Sequence, residues 1–475
     1  MTPEAVLTAL REAHMPEANG TESDMCATVG TILHDNLSWI LNSGFFSEEQ
    51  QKAACLMAAC KTPAMGTYVE YCPECDKVIG VHYCSCNNRN CPNCQFPLQQ
   101  KWIELRKSEV VPDTPYFHIV LTIPHELNPL ILQNQKKTLG ILFRTSAAAV
   151  IEMCEDPKYL GAKPGIISVL HTWTQDLRAH YHIHMICTAG GLDENGWFKS
   201  LKRLYHVDQS EASADAKQER THADAIRNSL QAEDLDVLSE LESSSGMQEN
   251  VASSNNTDLF FLPVKALMKL FRGKYMAELR KLYDAHELCL SDHLTYLNDP
   301  YEWSAFCHSL YGTEWVGYIA RTFEGRGNAI DYLARYTFRT AISNSRIVSY
   351  DGNSVSFTVR NNDVPGQKDV VTLDAHKFIR RLLSHILPNG FTRVRFYGFL
   401  ANCQKKKRLN EILQQLCNKD FKPSELKDAT GINLLAMLFP DKKIGRCPCC
   451  GCSLQLFRSR SQKKTTPSAR AAPVA

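Results

Sequence analysis

The 475-residue sequence has no apolar run of about 18 residues, the length a membrane-spanning helix needs. Its first residues, MTPEAVLTALREAHMPE, lack the basic start and apolar core of a secretory signal, so export is not expected. No Gly-x4-Gly-Lys loop is present to cradle a nucleoside triphosphate. No internal repeat is found, which sets solenoids and propellers aside. Charge of one sign is also scarce, with 53 Lys and Arg against 51 Asp and Glu. That balance hides a division. Segment 207–258 carries twelve acidic and three basic residues, −9 net, so the rest of the chain is +11 against the overall +2. A modestly basic body with an acidic insert is compatible with a nucleic-acid partner.

Cysteine is abundant and clustered. Of 19 cysteines, eight fall between Cys55 and Cys94 and four between Cys447 and Cys452. Without a secretory signal such clusters read as metal sites rather than disulfides. Cys72-x2-Cys75 and Cys91-x2-Cys94, fifteen residues apart, have the spacing of a four-cysteine zinc ribbon or knuckle, a closed structural site. Cys60, His82, Cys84 and Cys86 offer ligands for a second zinc nearby. The C-terminal run CPCCGC holds Cys447-x2-Cys450, half a site, which either borrows ligands from elsewhere or is reactive.

The chain is long enough for two or three domains. Residues 1–59 read as helical and 60–108 as a metal-held module with few aliphatics. Within 112–206, YFHIVLTIP (116–124) reads as a strand, 126–154 as a helix, and IISVLHTW (166–173) and HYHIHMICTAGG (180–191) as paired strands. Segment 207–258 is polar and acidic, expected as a disordered insertion. In 259–416, residues 260–286 read as an amphipathic helix, 315–323 as a strand, 328–341 as a helix and 346–360 as a hairpin about Asp351-Gly352. Residues 374–416 read as helix, strand, helix. The stretch 417–475 is expected as a cysteine-rich, basic tail.

Two patterns carry chemistry. His180, His182 and His184 alternate on a strand and so share a face. Two imidazoles at that spacing can hold one divalent ion with positions left for substrate; a structural zinc or a plain surface strand would use the same residues. Tyr332 and Tyr336 stand one helical turn apart, with Arg335 and Arg339 on much the same face. A tyrosine hydroxyl is a nucleophile for phosphorus and arginine binds phosphate oxygens through two hydrogen bonds, although tyrosines at this spacing are more often packing residues.

Taken in order over roughly residues 50–415, these segments resemble the HUH-type two-tyrosine rolling-circle transposases of bacterial insertion sequences, the IS91-like family. YCPEC through NNRNCPNCQ resembles its zinc-binding domain. PYFHIVLTIP resembles the first catalytic strand, and LHTWTQDLRAHYHIHMICTAGG the stretch with the His-hydrophobic-His motif, here His182-Ile183-His184. FFLPVKALMKLFRGKY, DYLARYTFRTAISNSRI and LDAHKFIRRLLSHILPNGFTRVRFYGFLAN resemble later signatures. The chain departs from the family at Asn90 and Tyr68, where histidine is usual, and in the length of 207–258.

The resemblance implies an α+β fold, an HUH endonuclease core with a central antiparallel sheet flanked by helices, plus an N-terminal zinc-binding domain. It implies Mg or Mn on His182 and His184, with His180 one candidate third ligand, and zinc on Cys72, Cys75, Cys91 and Cys94, with Cys60 and Cys86 as additional candidates. It implies Tyr332 and Tyr336 as nucleophiles, with Arg335 and Arg339 holding DNA phosphate. The expected partners are single-stranded DNA at element ends and target DNA, in the bacterial cytoplasm at the nucleoid, and no membrane. A relaxase or replication initiator would share the chemistry. A zinc-dependent DNA-binding protein without catalysis would leave the histidines and tyrosines incidental.

Overall fold

The computed structural model describes residues 27–201, 205–206, 259–321, 337–361, 364 and 366–459. The acidic segment 207–258, the two tyrosines and Arg335 lie outside them. Among the described residues three short helices come first: α1 (Val29–Asp35), α2 (Leu37–Asn42) and α3 (Glu48–Ala58). Thr28 with Thr31, and Ser47 with Gln50, form capping boxes that satisfy the free amides at the starts of α1 and α3. Strands β1 (Thr67–Cys72) and β2 (Lys77–Tyr83) follow as a hairpin, then helix α4 (Phe96–Lys107).

The central sheet begins with β3 (Tyr116–Thr122). After α5 (Asn128–Gln133) and α6 (Gln135–Glu155) come β4 (Lys163–Trp173) and β5 (Ala179–Leu192), with β6 (Phe198–Ser200) extending the far end of β5. A small pair, β7 (Tyr205–His206) and β8 (Leu259–Phe260), precedes α7 (Val264–Asp284), α8 (Pro300–Gly312) and β9 (Gly317–Arg321). Strands β10 (Ile347–Tyr350), β11 (Ser354–Arg360) and β12 (Lys368–Asp374) form a separate antiparallel sheet capped by α9 (Ala375–Ser384). Then β13 (Val394–Gly398), α10 (Lys405–Cys417), α11 (Gly431–Leu438) and β14 (Gln455–Ser459) complete the described chain.

The central sheet has the order β13-β4-β5-β3-β9, antiparallel throughout. Its middle strand is covered on both sides, and all of Tyr181–Leu192 is buried. Alternation then sorts the side chains. Ile183, Met185 and Cys187 join Phe117, Ile119 and Leu121 in a core under α6 and α7, which contribute Leu139, Phe143, Phe271 and Tyr275. The opposite face packs Ile167, Val169 and Ile186 with Leu409 and Ile412 of α10, with Trp102 of α4 against them. That second face carries the histidines.

The α+β expectation, helices about an antiparallel sheet, matches this architecture. Two local expectations change. The helix expected over 126–154 breaks at Asn134, whose side chain donates to the Leu130 and Cys289 carbonyls while accepting from the Cys289 amide. The stretch 417–475 is no mere tail within its described part, because β14 pairs antiparallel with β1 in a five-residue register. No helix among the described residues is long and apolar enough to cross a membrane.

Candidate metal centre

Strands β4 and β5 meet around the Thr174–Arg178 turn, and a one-residue register shift between His171 and Trp173 sets His171 directly across from His182. His184, two residues on, shares their face. The structure gathers one ring nitrogen from each of His171, His182 and His184 within 4.8 Å of the others. The Nε2 atoms of His182 and His184 approach to 3.0 Å, pointing at a common spot. All three are buried. Burial, followed by neighbouring histidines and Arg339, holds His182 and His184 well below the ordinary imidazole range. They are therefore neutral at pH 7, with lone pairs available as metal ligands.

A fourth ring sits behind them. On β3, Val120 faces His184, so His118 takes the diagonal place on the same face. Its Nε2 lies 2.9 Å from His184 Nδ1. Burial lowers His118 to about 3. With His184 Nε2 turned inward as a ligand, its Nδ1–H donates to His118, which fixes tautomer and ring plane. His180 shares the strand face, with its ring 5.0 Å from that of His182, but does not join the converging group.

Beside the histidines is a small pocket lined by His171, Trp173, Gln175, Arg339 and Arg346. Arg346 is braced by donating to the carbonyls of Thr358 and Gln175. Buried Arg393 donates to the carbonyls of Leu170 and Arg339 and stacks its guanidinium over Trp173 at 4.7 Å. Burial first, then the charges of Arg89 and Arg339, push Arg393 down to about 9. Positive charge is thus concentrated next to neutral, ligand-competent imidazoles. An anion with a metal-binding oxygen, such as a phosphodiester, suits both.

The cysteines assemble differently from the single ribbon expected of Cys72, Cys75, Cys91 and Cys94. Cys60, Cys86, Cys91 and Cys94 form one group, and Cys72 and Cys75 form another with Cys447 and Cys450. The reason is the hairpin. The seven residues of β2 separate Cys75 from Cys84 by about 20 Å at strand rise. In the first group Cys86 and Cys94 sulfurs are 3.7 Å apart, and the amides of Asn88 and Asn93 point at the sulfurs of Cys86 and Cys91. Cys84 and His82 lie outside both groups.

A family model described as "Putative transposase" matches residues 165–255 and 243–408, and one described as "Transposase zinc-binding domain" matches 32–123. The chain is 30% identical over 404 residues to "Putative transposase y4qJ" of Sinorhizobium fredii (strain NBRC 101917 / NGR234), covering 85% of this chain and 87% of that one. The chain belongs to the IS91-like transposase family. It is also 26% identical over 378 residues to "Transposase for insertion sequence element IS801" of Pseudomonas savastanoi pv. phaseolicola, covering 77% and 74% of the two chains. No solved structure matches.

The transposase therefore carries a zinc-binding domain, and the Cys60 group lies within the matched segment. Arg339, three residues past Tyr336, reaches the pocket beside His171, while Tyr332, Tyr336 and Arg335 are outside the described residues. Sequence reading missed His171 and His118. His171 had no complete signal, since plain closure of the β4–β5 hairpin at 174–178 would set it opposite Tyr181, and a one-residue register shift between His171 and Trp173 brings it opposite His182. His118 had only its even-numbered place on a strand whose register is fixed by tertiary pairing.

Proposed function

We propose that this transposase cuts and rejoins single-stranded DNA at element ends through a metal-dependent, covalent tyrosine mechanism. The observation that carries it is the convergence of His171, His182 and His184 beside Arg339 and Arg346. Three converging imidazoles form a fitting donor set for one divalent ion, with His171 rather than His180 as third ligand. Between the two expected ions, an all-imidazole set suits Mn better than Mg, which prefers carboxylate and water. When bound there, the ion polarises a phosphodiester oxygen.

The chain's own residues do the rest. Arg339 and Arg346 hold non-bridging phosphate oxygens, and His118 keeps His184 oriented. The hydroxyl oxygen of Tyr332 or Tyr336 attacks phosphorus and loses its proton. The P–O3′ bond breaks, the 3′ oxygen leaves and takes up a proton, and the 5′ phosphate stays on the tyrosine. A second tyrosine allows a second transfer without release of the first end. Free tyrosine has a pKa near 10, so the cationic pocket is the environment that favours phenolate.

The test uses a labelled single strand carrying the element end, incubated with the full chain and Mn or Mg, then run on a denaturing gel. A covalent protein–DNA band is expected, abolished by EDTA and by the Tyr332→Phe/Tyr336→Phe pair. A band that survives the double substitution excludes these nucleophiles. A verified target that binds but gives no band supports the reading as a zinc-dependent DNA-binding protein.

A further inference from the structure

We propose that Cys72, Cys75, Cys447 and Cys450 bind a second zinc ion, completing a zinc ribbon split between two remote segments, with Cys72 and Cys450 378 residues apart in sequence. The matched zinc-binding domain ends at residue 123, so half of this ligand set lies far beyond it.

Each half has the same local plan. Cys72-Pro73-Glu74-Cys75 is followed by Asp76 with φ +52°, and Cys447-Pro448-Cys449-Cys450 by Gly451 with φ +76°. A left-handed residue there turns the chain sharply so that both sulfurs of a half face one point. Backbone donors support the turns: the Cys75 amide points at Cys72 Sγ, and the Gly451 amide donates to the Cys447 carbonyl. The Arg446–Ser453 bridge closes the second turn as the β1–β2 hairpin closes the first.

The halves then meet. Cys72 Sγ lies 3.5 Å from Cys450 Sγ, and Cys75 Sγ 3.9 Å from Cys447 Sγ. A tetrahedron of sulfurs about 2.3 Å from zinc has edges of about 3.8 Å. A disulfide would need about 2.05 Å, so these spacings suit coordination. Cys452 comes within 3.2 Å of Cys72 and is the competing fourth donor.

The sheet needs such a clamp. In the β14-β1-β2 sheet, Val78, Val81 and Leu456 are exposed, and of the β2 side chains none is fully buried. A three-stranded sheet with so little core is not held by apolar burial. Zinc coordination supplies that energy directly in modules of this kind, with the four thiols giving up their protons on binding. The chain leading to the second half is laid along α4, where Lys101 donates to the Ala429 carbonyl and Phe96 stacks on Phe439.

The experiment uses the full-length native protein. Elemental analysis should give two zinc ions per chain. Alkylation with iodoacetamide, read peptide by peptide, should label Cys449 readily. Cys72, Cys75, Cys447 and Cys450 should react at least tenfold more slowly until a chelator is added. Cys450 is itself exposed, so burial cannot protect it. One zinc per chain with protection confined to Cys60, Cys86, Cys91 and Cys94 overturns the proposal. So does labelling of Cys450 as fast as Cys449 without chelator, protection released by reductant instead of chelator, or protection of Cys452 in place of Cys450.

Discussion

Replacing His118 with phenylalanine should weaken metal binding at the histidine centre without emptying it. The ring keeps its volume among buried neighbours but loses the nitrogen that lies 2.9 Å from His184 Nδ1. His184 is fully buried, so its Nδ1–H loses that acceptor. An unmet buried donor costs about 1–3 kcal/mol. Loss of a partner that orients a metal-bound imidazole costs about 10–100-fold in affinity, or roughly 1.4–2.7 kcal/mol. The two routes agree. Titrating Mn into the zinc-loaded protein, with free Mn followed by its electron paramagnetic resonance signal, reads this directly. His180→Ala is the control, since His180 stands on the same strand outside the converging group, and its dissociation constant should move less than threefold. A His118→Phe dissociation constant within twofold of the native one would refute the orienting role.

Three further outcomes follow from packing and charge. His385 is buried, taking the Thr172 hydroxyl at Nδ1 and donating from Nε2 to the Leu177 carbonyl, and burial above all lowers it to about 4. Unfolded, it titrates near 6.5. Between those values the unfolded chain holds the proton that the native chain refuses, so stability falls as pH drops from about 6.5 to 4, by roughly 3 kcal/mol in all. His385→Gln should remove that part of the slope in urea titrations, and an unchanged slope would count against it. Glu109 accepts from Arg106 at 2.8 Å and Lys405 at 2.7 Å, tying α4 to α10 across the histidine-bearing face. Glu109→Gln leaves two cations facing each other and should cost about 3 kcal/mol, whereas a loss below 1 kcal/mol would show other contacts hold the helices. Gly398 has φ +62°, and a Cβ there would come within 1.6 Å of the Pro164 carbonyl oxygen. Gly398→Ala must displace β13 from β4 and should cost at least about 3 kcal/mol by thermal unfolding; a native-like melting temperature would contradict the close approach.

Much of the central sheet was legible because its strands announce themselves locally. The YFHIVLT, IISVLHTW and HYHIHMICTAGG segments are strands, and the last two pair as expected. The Asp351-Gly352 turn is also where expected, with Gly352 at φ +93° and Asp351 accepting from the Asn353 and Ser354 amides. The histidine centre was half legible. Alternation along one strand gives His182 and His184, but the choice between His180 and His171 depends on which strand lies across, and His118 depends on a third. The cysteines misled for a related reason. Spacing ties Cys72-x2-Cys75 to the nearest pair, whereas the β1–β2 hairpin carries it away from Cys91 and Cys94 and toward a pair whose sequence distance hides it. Asn134 shows the same limit on a helix, since its partner at Cys289 is remote in sequence.

The covalent tyrosine mechanism is tested most directly by the site of attachment between DNA and protein. After reaction with a single-stranded element end and Mn, the adduct is digested with nuclease and trypsin and analysed by mass spectrometry. Cleavage at Arg326, Arg335 and Arg339 puts Tyr332 and Tyr336 on separate peptides, 327–335 and 336–339. A 5′-linked nucleotide is expected on one or both of these tyrosines, lost in His171→Ala and retained in His180→Ala. A nucleotide on any other residue, or an adduct indifferent to His171, would contradict it.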